Sequence, residues 1–199
     1  CIMTTYSNLK YNHPLSANAT GTGALTLIST QTASGSANLS FTSGIDSTYK
    51  EYVFKFYNIH PITDEAHFTV GFRDGDTAYD AVKTTTYILS YHAEDDSEAT
   101  VGYNAASDLA QSSDFQRILH GIGNGNDESA SGYLHLFEPS STTFVKHFIA
   151  AGSTYNAGSY EYTTYVAGYN NVTAAIDGVQ FKMSSGNIDS GVVKLYGIS

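Results

Sequence analysis

The chain has 199 residues, of which 41% are hydrophobic and 13% aromatic, and its formal net charge is −10 with only 9 lysines and arginines. This length and hydrophobic content fit one domain with a sizeable core, and 16 tyrosines and 10 phenylalanines among abundant Thr and Ser favour β-strands. The few, scattered basic residues exclude a nucleic-acid partner, and no apolar run approaches the ~20 residues of a membrane helix, so no membrane partner is expected.

The N-terminal 23 residues are polar and differ from the rest of the chain. They contain His13-Pro14 and end in the Gly- and Asn-containing run Asn18–Gly23. We predict that residues 1–23 form an extended arm ordered by a neighbouring subunit, with a frayed terminus as the alternative. Cys1 is either the lipidated first residue of a lipoprotein or precedes a natural start at Met3. Residues 24–199 are predicted to form the folded domain.

Alternation of apolar and polar residues dominates from residue 24 onward and predicts β-strands. In Tyr49–Ile59, for example, Tyr52, Phe54 and Phe56 share one face and Lys55 lies on the other. Further strands are predicted at His67–Arg73, Thr85–Tyr91, around Leu134 and Leu136, at Val145–Ile149, Val179–Met183 and Gly191–Gly197, and more weakly at Ala24–Thr32, Ala37–Thr42, Arg117–Ile122 and Glu161–Tyr169.

Clusters of Gly, Asn, Asp and Ser separate these strands, and helical patterns are nearly absent. One short helix is predicted at Ala105–Asp114, with Ser107 capping it. The last two strands are predicted to form a terminal hairpin that turns at Ser184–Asn187. Many short antiparallel strands without helices are typical of sandwiches and jelly rolls. We therefore predict an all-β, antiparallel, jelly-roll-like β-sandwich with an N-terminal arm.

Asp74, Asp76 and Asp80 are the candidate metal ligands. Carboxylates at these spacings resemble the oxygen ligands of calcium loops. The downstream Glu of an EF-hand is missing, however, and Asp-Gly is also the commonest hairpin turn. We therefore expect a plain turn and no bound metal, with a calcium site as the alternative.

Two further polar clusters have side chains that could bind a ligand or take part in catalysis. Glu94-Asp95-Asp96 with Glu98 could chelate a cation or supply the paired carboxylates of a glycosidase, but their Ser- and Thr-rich setting favours a solvated turn. Asn124–Glu128 combines an Asn-Gly turn with a loop position where binding specificity often lies.

The chain has 7 histidines, scattered along its length. None has the His-x-x-x-His spacing of a helical zinc site. His135 and His147 lie on strands that could pair, which leaves a contact between them open, although hydrogen-bonded, partly buried histidines are expected. No nucleophile elbow, phosphate-binding loop or dinucleotide fingerprint occurs. We therefore predict no enzymatic activity and no cofactor.

Tyrosines crowd into the segment from Tyr155 to Tyr169. Together with neighbouring asparagines they suit sugar faces and hydroxyls, and they suit protein interfaces equally well. Some of these rings are expected to be core. The predicted binding or interface residues are Tyr155, Tyr160, Tyr162, Tyr165, Tyr169 and Asn170.

Four stretches carry a resemblance to known proteins. They are Ser40–Pro61 (SFTSGIDSTYKEYVFKFYNIHP), Asp108–Gln116 (DLAQSSDFQ), Gly132–Phe148 (GYLHLFEPSSTTFVKHF) and Ala174–Ile198 (AAIDGVQFKMSSGNIDSGVVKLYGI). With these, most of the chain from Leu25 to Ile198 resembles short, mostly uncharacterised proteins of marine tailed bacteriophages. The resemblance implies a virion protein but brings no catalytic or ligand-binding residues with it.

The expected function is therefore that of a structural protein on the virion surface. A short chain of this kind suits a capsid decoration protein or a head or tail fibre, self-assembled as a homotrimer and attached to capsid or tail proteins. The alternative is a carbohydrate-binding module that recognises host surface glycans. A polysaccharide-degrading enzyme would need Glu94 or Asp96 for turnover and is not expected.

Overall fold

A computed structural model describes residues 24–199, which form twelve β-strands and no helix. The predicted N-terminal arm and Cys1 lie outside the described residues. The strands are β1 (Leu25–Ser36), β2 (Leu39–Phe41), β3 (Glu51–Pro61), β4 (Ala66–Arg73), β5 (Lys83–Ala93), β6 (Ala99–Tyr103), β7 (Gln116–Ile122), β8 (Ala130–Phe137), β9 (Lys146–Tyr155), β10 (Tyr160–Asn170), β11 (Gly178–Met183) and β12 (Ile188–Ile198).

The strands form two antiparallel sheets that pack face to face. The larger sheet has eight strands in the order β1-β12-β3-β8-β9-β10-β5-β6, and the smaller has four in the order β2-β11-β4-β7. The chain crosses repeatedly from one sheet to the other, for example from β2 to β3 to β4 to β5, as in jelly rolls. The predicted all-β, antiparallel sandwich is confirmed.

The core lies between the sheets and is rich in phenylalanine. Phe181 on β11 is fully buried and packs against rings from both sheets. Its ring centroid lies 5.2 Å from Phe54, 5.2 Å from Phe56 and 5.5 Å from Phe68. The predicted inward face of β3 is confirmed, since Tyr52, Phe54 and Phe56 are at most 1% exposed. Each such ring stabilises the fold by roughly 1.5–3 kcal/mol through burial.

The helix predicted at Ala105–Asp114 is wrong. Residues 104–115 instead form an irregular segment with a turn at 105–107 that runs along β5, where the Thr85 N–H donates to the Leu109 carbonyl at 2.8 Å and the Lys83 N–H donates to the Ser112 carbonyl at 2.8 Å. β6 pairs only with Ile88–His92, so the rest of β5 has a free backbone edge. Segment 104–115 satisfies that edge, which a helix could not do.

The predicted terminal hairpin is also wrong, although both of its strands exist. β11 pairs with β2 and β4 in the smaller sheet, whereas β12 pairs with β1 and β3 in the larger sheet. The turn at Ser184–Asn187 therefore joins the two sheets. Val179 and Phe181 on β11 and Val193 and Leu195 on β12 are all buried in the core, which they therefore enter from opposite sheets.

β6 is a strand that the sequence did not predict. All five of its residues are exposed, so it has no buried apolar face to produce the alternating pattern. Residues 24–199 contain no helix with the length and apolarity to cross a membrane.

Candidate binding site

The larger sheet extends beyond the smaller one at its β5–β6 edge. β7, the last strand of the smaller sheet, packs against β9 and β10. Segment 104–115 covers one end of β5, but Thr100 and Gly102, on the inner side of β6, are exposed. This leaves an uncovered inner surface on β5, β6 and the start of β10, which we call the overhang.

Three tyrosines form a cluster on the overhang. The Tyr160 and Tyr162 rings are stacked, with centroids 6.0 Å apart and planes 8° apart. Tyr91, directly opposite Tyr162 on β5, meets both rings edge-on, at 5.6 Å from Tyr160 and 5.7 Å from Tyr162. All three rings are partly exposed. They present a partly exposed aromatic surface of the kind that stacks on sugar rings.

Glu98 supplies the charge of this tyrosine cluster. Its Oε1 accepts a hydrogen bond from the Tyr91 hydroxyl at 2.7 Å, and its Oε2 accepts one from the Tyr160 hydroxyl at 3.5 Å. The hydrogen bond to this carboxylate raises the pKa of Tyr91. The Tyr91 phenol is therefore held as a neutral donor, and Glu98 fixes the orientation of both hydroxyls.

Two clefts flank the tyrosine cluster. One, of about 400 Å³, is lined by Leu89, Tyr91, Thr100 and Gly102 among others. The other, of about 470 Å³, is lined by residues that include Asp95 and Tyr160. Each cleft has an aromatic wall and polar groups, the combination that holds a hydroxylated ligand.

Two histidines lie beneath the cluster, at the edge of the core. His120 on β7 meets the Tyr162 ring edge-on at 5.1 Å, and the His67 ring lies 4.7 Å from His120. The Gly121 N–H donates to His67 Nδ1 at 2.9 Å, so the neutral His67 ring carries its proton on Nε2. Burial, with smaller contributions from His120 and Arg117, lowers the pKa of His67 to about 4. Burial likewise lowers the pKa of His120.

The structure distributes the five predicted tyrosines over two surfaces. Tyr160 and Tyr162 share the inner side of β10 with buried Thr164 and Val166, and they belong to the overhang. Tyr165 and Tyr169, at odd positions of β10, lie on the outer side. Tyr155, opposite Glu161 in the register of β9 and β10, is also on the outer side. The tyrosines from Tyr155 to Tyr169 therefore lie on two opposite surfaces of the sheet and do not form one site.

Asn170 is fully buried and lies on neither surface. In the register it is opposite Lys83 on β5 and Lys146 on β9, both also fully buried. Neither polar atom of its side chain has a hydrogen-bond partner within residues 24–199. The position does not fit the predicted role in binding or at an interface.

The two buried lysines are satisfied by main-chain carbonyls. Lys83 Nζ donates to the Ala81 carbonyl at 2.7 Å, and Lys146 Nζ donates to the Val172 carbonyl at 2.8 Å. Burial lowers the pKa of Lys83 to about 8, an effect that nearby Asp114, Asp80 and Asp74 oppose. The acidic loop that follows β4 therefore partly compensates two buried positive charges.

The candidate metal ligands do converge in space. One carboxylate oxygen from each of Asp74, Asp76 and Asp80 lies within 4.8 Å of the others. The loop joins β4 in the smaller sheet to β5 in the larger one, so it is not a hairpin turn. Because Asp74 and Asp80 also act on Lys83, a bound cation would compete with that lysine for them. A metal site at these residues stays the alternative interpretation of the loop.

Of the other polar clusters, Glu94–Asp96 adjoin the overhang, where Asp95 lines the second cleft, whereas the Asn124–Glu128 loop borders a different cleft. Glu94–Asp96 form an exposed tight turn between β5 and β6. Asn124–Glu128 lie between β7 and β8, and Asn126, Asp127 and Glu128 line a polar cleft of about 380 Å³ together with residues that include His60 and Asp189. The strands of His135 and His147 do pair, but His135 is opposite Ile149 and bonds to Glu51 instead.

The outer side of the larger sheet carries a continuous row of exposed apolar and aromatic side chains. Successive strands place them directly opposite one another. In order from β8 to β6 they are Tyr133, Ala151, Tyr165, Ile88 and Tyr103. Tyr133 is 40%, Tyr165 43%, Ile88 41% and Tyr103 57% exposed. We call these residues the outer row.

An apolar cleft adjoins the outer row. It has a volume of about 470 Å³, and Phe137, His147, Ile149 and Tyr169 are among the residues that line it. The His147 and Tyr169 rings meet at 6.1 Å. The outer row and this cleft together form a contiguous apolar surface, whereas the apolar residues on ordinary protein surfaces are scattered singly.

Searches with the chain found no matching protein-family model, no matching curated protein and no matching solved structure.

Sequence reasoning did not assign Tyr91, Glu98 and His120 to a binding site. Tyr91 was predicted only as a strand residue, and Glu98 as part of an acidic turn. They join Tyr160 and Tyr162 because β5 pairs with β10, two strands that are far apart in the chain. The alternation in Glu161–Tyr169 could have separated the inner tyrosines from the outer ones. It could not have identified the residues outside β10 that these tyrosines contact.

Proposed function

We propose that the protein is a non-catalytic structural protein on the surface of a tailed-phage virion. In this role it assembles with copies of itself, as a capsid decoration or head or tail fibre protein, and contacts capsid or tail proteins. The resemblance of Ser40–Pro61, Gly132–Phe148 and Ala174–Ile198 to phage proteins supports the virion, and the outer row supports assembly.

The outer row is the observation that carries the proposed assembly. Its side chains span β8, β9, β10, β5 and β6 without an interrupting charge. A water-exposed aromatic row of this length gains free energy when another surface covers it, at roughly 25 cal/mol for each Å² of apolar area buried. Tyr is also enriched at protein interfaces. A homotrimer is the oligomer proposed from the sequence.

The virion role is tested on purified particles. Antibodies against residues 24–199 should decorate intact phage particles in immunogold electron microscopy, and the chain should be found by mass spectrometry of density-gradient-purified virions. A matched control uses antibodies pre-absorbed with the purified protein, which should remove the label. A chain found only in the particle-free fraction of the lysate would contradict the proposal.

The tyrosine cluster favours a second candidate function, recognition of host surface glycans. The stacked Tyr160 and Tyr162 rings, the edge of Tyr91 and the Glu98 carboxylate combine an aromatic platform with hydrogen-bonding groups. Aromatic faces stack on the C–H faces of sugars, and carboxylates accept bonds from their hydroxyls. This role is compatible with a fibre on the virion surface.

The glycan role is tested by comparing two tyrosines on one strand. Tyr160→Ala removes a platform ring and should weaken binding of any array-selected glycan by about 10-fold, equal to about 1.4 kcal/mol. Tyr165→Ala, on the opposite side of β10, should bind like the wild type. A silent glycan array, or equal losses in both variants, would rule out the tyrosine cluster as the glycan site.

A further inference from the structure

Among residues 24–199, β6 is an edge strand that no other segment pairs with on its outer edge. It lies at the end of the eight-stranded sheet, and its five residues, Ala99–Tyr103, are all exposed. Val101 is 72% and Tyr103 57% exposed. Natural edge strands usually carry charges, a proline or a bulge that prevents further pairing. β6 has none of these, since its register with β5 is regular.

The register shows which main-chain groups of β6 face outward. The Ala93 N–H donates to the Glu98 carbonyl at 2.8 Å, and the Asn104 N–H donates to the Tyr87 carbonyl at 2.9 Å. Antiparallel pairs alternate between bonded and non-bonded residues, so the even-numbered residues of β6 bond to β5. The N–H and C=O groups of Ala99, Val101 and Tyr103 therefore point away from the sheet.

We propose that β6 pairs with β6 of a second copy of the chain, antiparallel and about a two-fold axis at Val101. This inference rests on the self-assembly in the proposed function and adds to it a contact at the sheet edge, beside the outer row on the sheet face. Val101 then lies opposite the partner's Val101, and Ala99 lies opposite the partner's Tyr103. Each of these pairs exchanges both of its hydrogen bonds, so every outward-facing group of β6 is satisfied.

The side chains fit this register as well as the main chain does. The nearest charged residue of the chain before β6 is Glu98, which lies opposite the partner's Asn104 rather than another acid. On the outer side, Tyr103 extends the outer row to the partner's Ala99. Sliding the register by two residues leaves at least one outward-facing residue unpaired, so the two-fold arrangement at Val101 is the most favourable.

The pairing joins two eight-stranded sheets edge to edge and closes on itself. A two-fold interface uses the same surface in both copies and therefore gives a dimer, in place of the trimer expected from the sequence. The paired strands are short, so the population of the dimer depends on protein concentration.

Sedimentation velocity of the full chain over a range of concentrations tests the pairing. Val101→Lys places two positive charges beside each other at the axis and should raise the dimer dissociation constant by about 10-fold or more, equal to at least about 1.4 kcal/mol. Because Val101 is 72% exposed, the monomer should keep its fold. Thr163→Lys is the matched control, since it adds the same charge to the same side of the sheet, two strands further in, and should leave the dimer unchanged.

Amide hydrogen exchange provides a second, residue-specific readout. In concentrated protein the amides of Ala99, Val101 and Tyr103 should become protected. Those of Thr100 and Gly102, which already bond to β5, should exchange at the same rate at every concentration. An alternating pattern of this kind is produced by a new β-strand and not by burial of a side-chain surface.

The outcomes separate this inference from the proposed function. Self-association that Val101→Lys leaves unchanged would overturn the β6 pairing but keep self-assembly through another surface. A monomer at all concentrations would overturn both the pairing and the self-assembly. Location on the virion is decided independently by the antibody labelling of particles.

Discussion

His67 and His120 are neighbouring, partly buried histidines at the edge of the core, and His67 has the larger pKa shift. Burial is the main cause, with His120 and Arg117 adding repulsion, and the pKa of His67 falls to about 4 from an ordinary 6.5. The folded protein therefore holds His67 neutral in a pH range in which the unfolded chain binds a proton. His67 therefore makes the stability of the folded protein decrease on acidification.

His67→Asn should reduce the loss of stability between pH 6.5 and pH 4. In that range the unfolded state binds more protons than the folded state, so stability falls as the pH falls. His67 accounts for at most about 3 kcal/mol of this loss, from about 1.36 kcal/mol for each unit of pKa shift. Asn can still accept the hydrogen bond from the Gly121 N–H. The measurement is the urea midpoint at pH 7 and at pH 4.5.

The control for this experiment is His92→Asn. The His92 side chain is 56% exposed on the outer side of β5, so its replacement should leave the acid sensitivity as in the wild type. If His67→Asn and the wild type lose the same amount of stability on acidification, the inference that the folded protein holds His67 neutral is wrong.

Close contact between β7 and β9 requires glycine at one position. Gly152 on β9 lies opposite Gly132 on β8 and faces Leu119 on β7. A Cβ at Gly152 would overlap Leu119 Cδ2 and lie 2.7 Å from the Ser131 carbonyl oxygen. The main-chain oxygen cannot move aside without disturbing the pairing of β8 with β9. This glycine therefore lets strands of the two sheets approach each other.

Gly152→Ala should destabilise the fold by about 2 kcal/mol, since overpacking a closed core typically costs 1–3 kcal/mol. The matched control is Gly102→Ala on β6, where a new Cβ meets no atom within 4 Å. That change should be neutral or stabilise by up to about 1 kcal/mol, because alanine restricts the unfolded chain. Urea unfolding at pH 7 measures both. Equal effects of the two substitutions would disprove the proposed contact.

The molecule as a whole is an unequal sandwich, with eight strands facing four. The smaller sheet covers the phenylalanine-rich core but ends at β7. The uncovered part of the larger sheet carries the tyrosine cluster on its inner side, the end of the outer row on its outer side and the free edge of β6. Both proposed binding functions therefore depend on the same mismatch in sheet width.

The amino-acid pattern predicted the strand faces correctly where one face is buried. Tyr52, Phe54 and Phe56 alternate with polar residues because successive side chains of a strand point to opposite sides. The acidic spacing of Asp74, Asp76 and Asp80 likewise predicted a local convergence of carboxylates that the structure contains. These are short-range properties, fixed by residues that are close in the chain.

Strand partners and the assembly of the tyrosine cluster depended on long-range packing. β11 and β12 are adjacent in sequence yet lie in different sheets, so the buried residues of the two strands enter the core from opposite sides. Tyr91 meets Tyr160 only because β5 and β10 pair, and the same register places Lys83 opposite Asn170. The alternation of apolar and polar residues depends only on residues that are close in the sequence, so the sequence reveals it. The choice among possible strand partners depends instead on the free energy of the whole core.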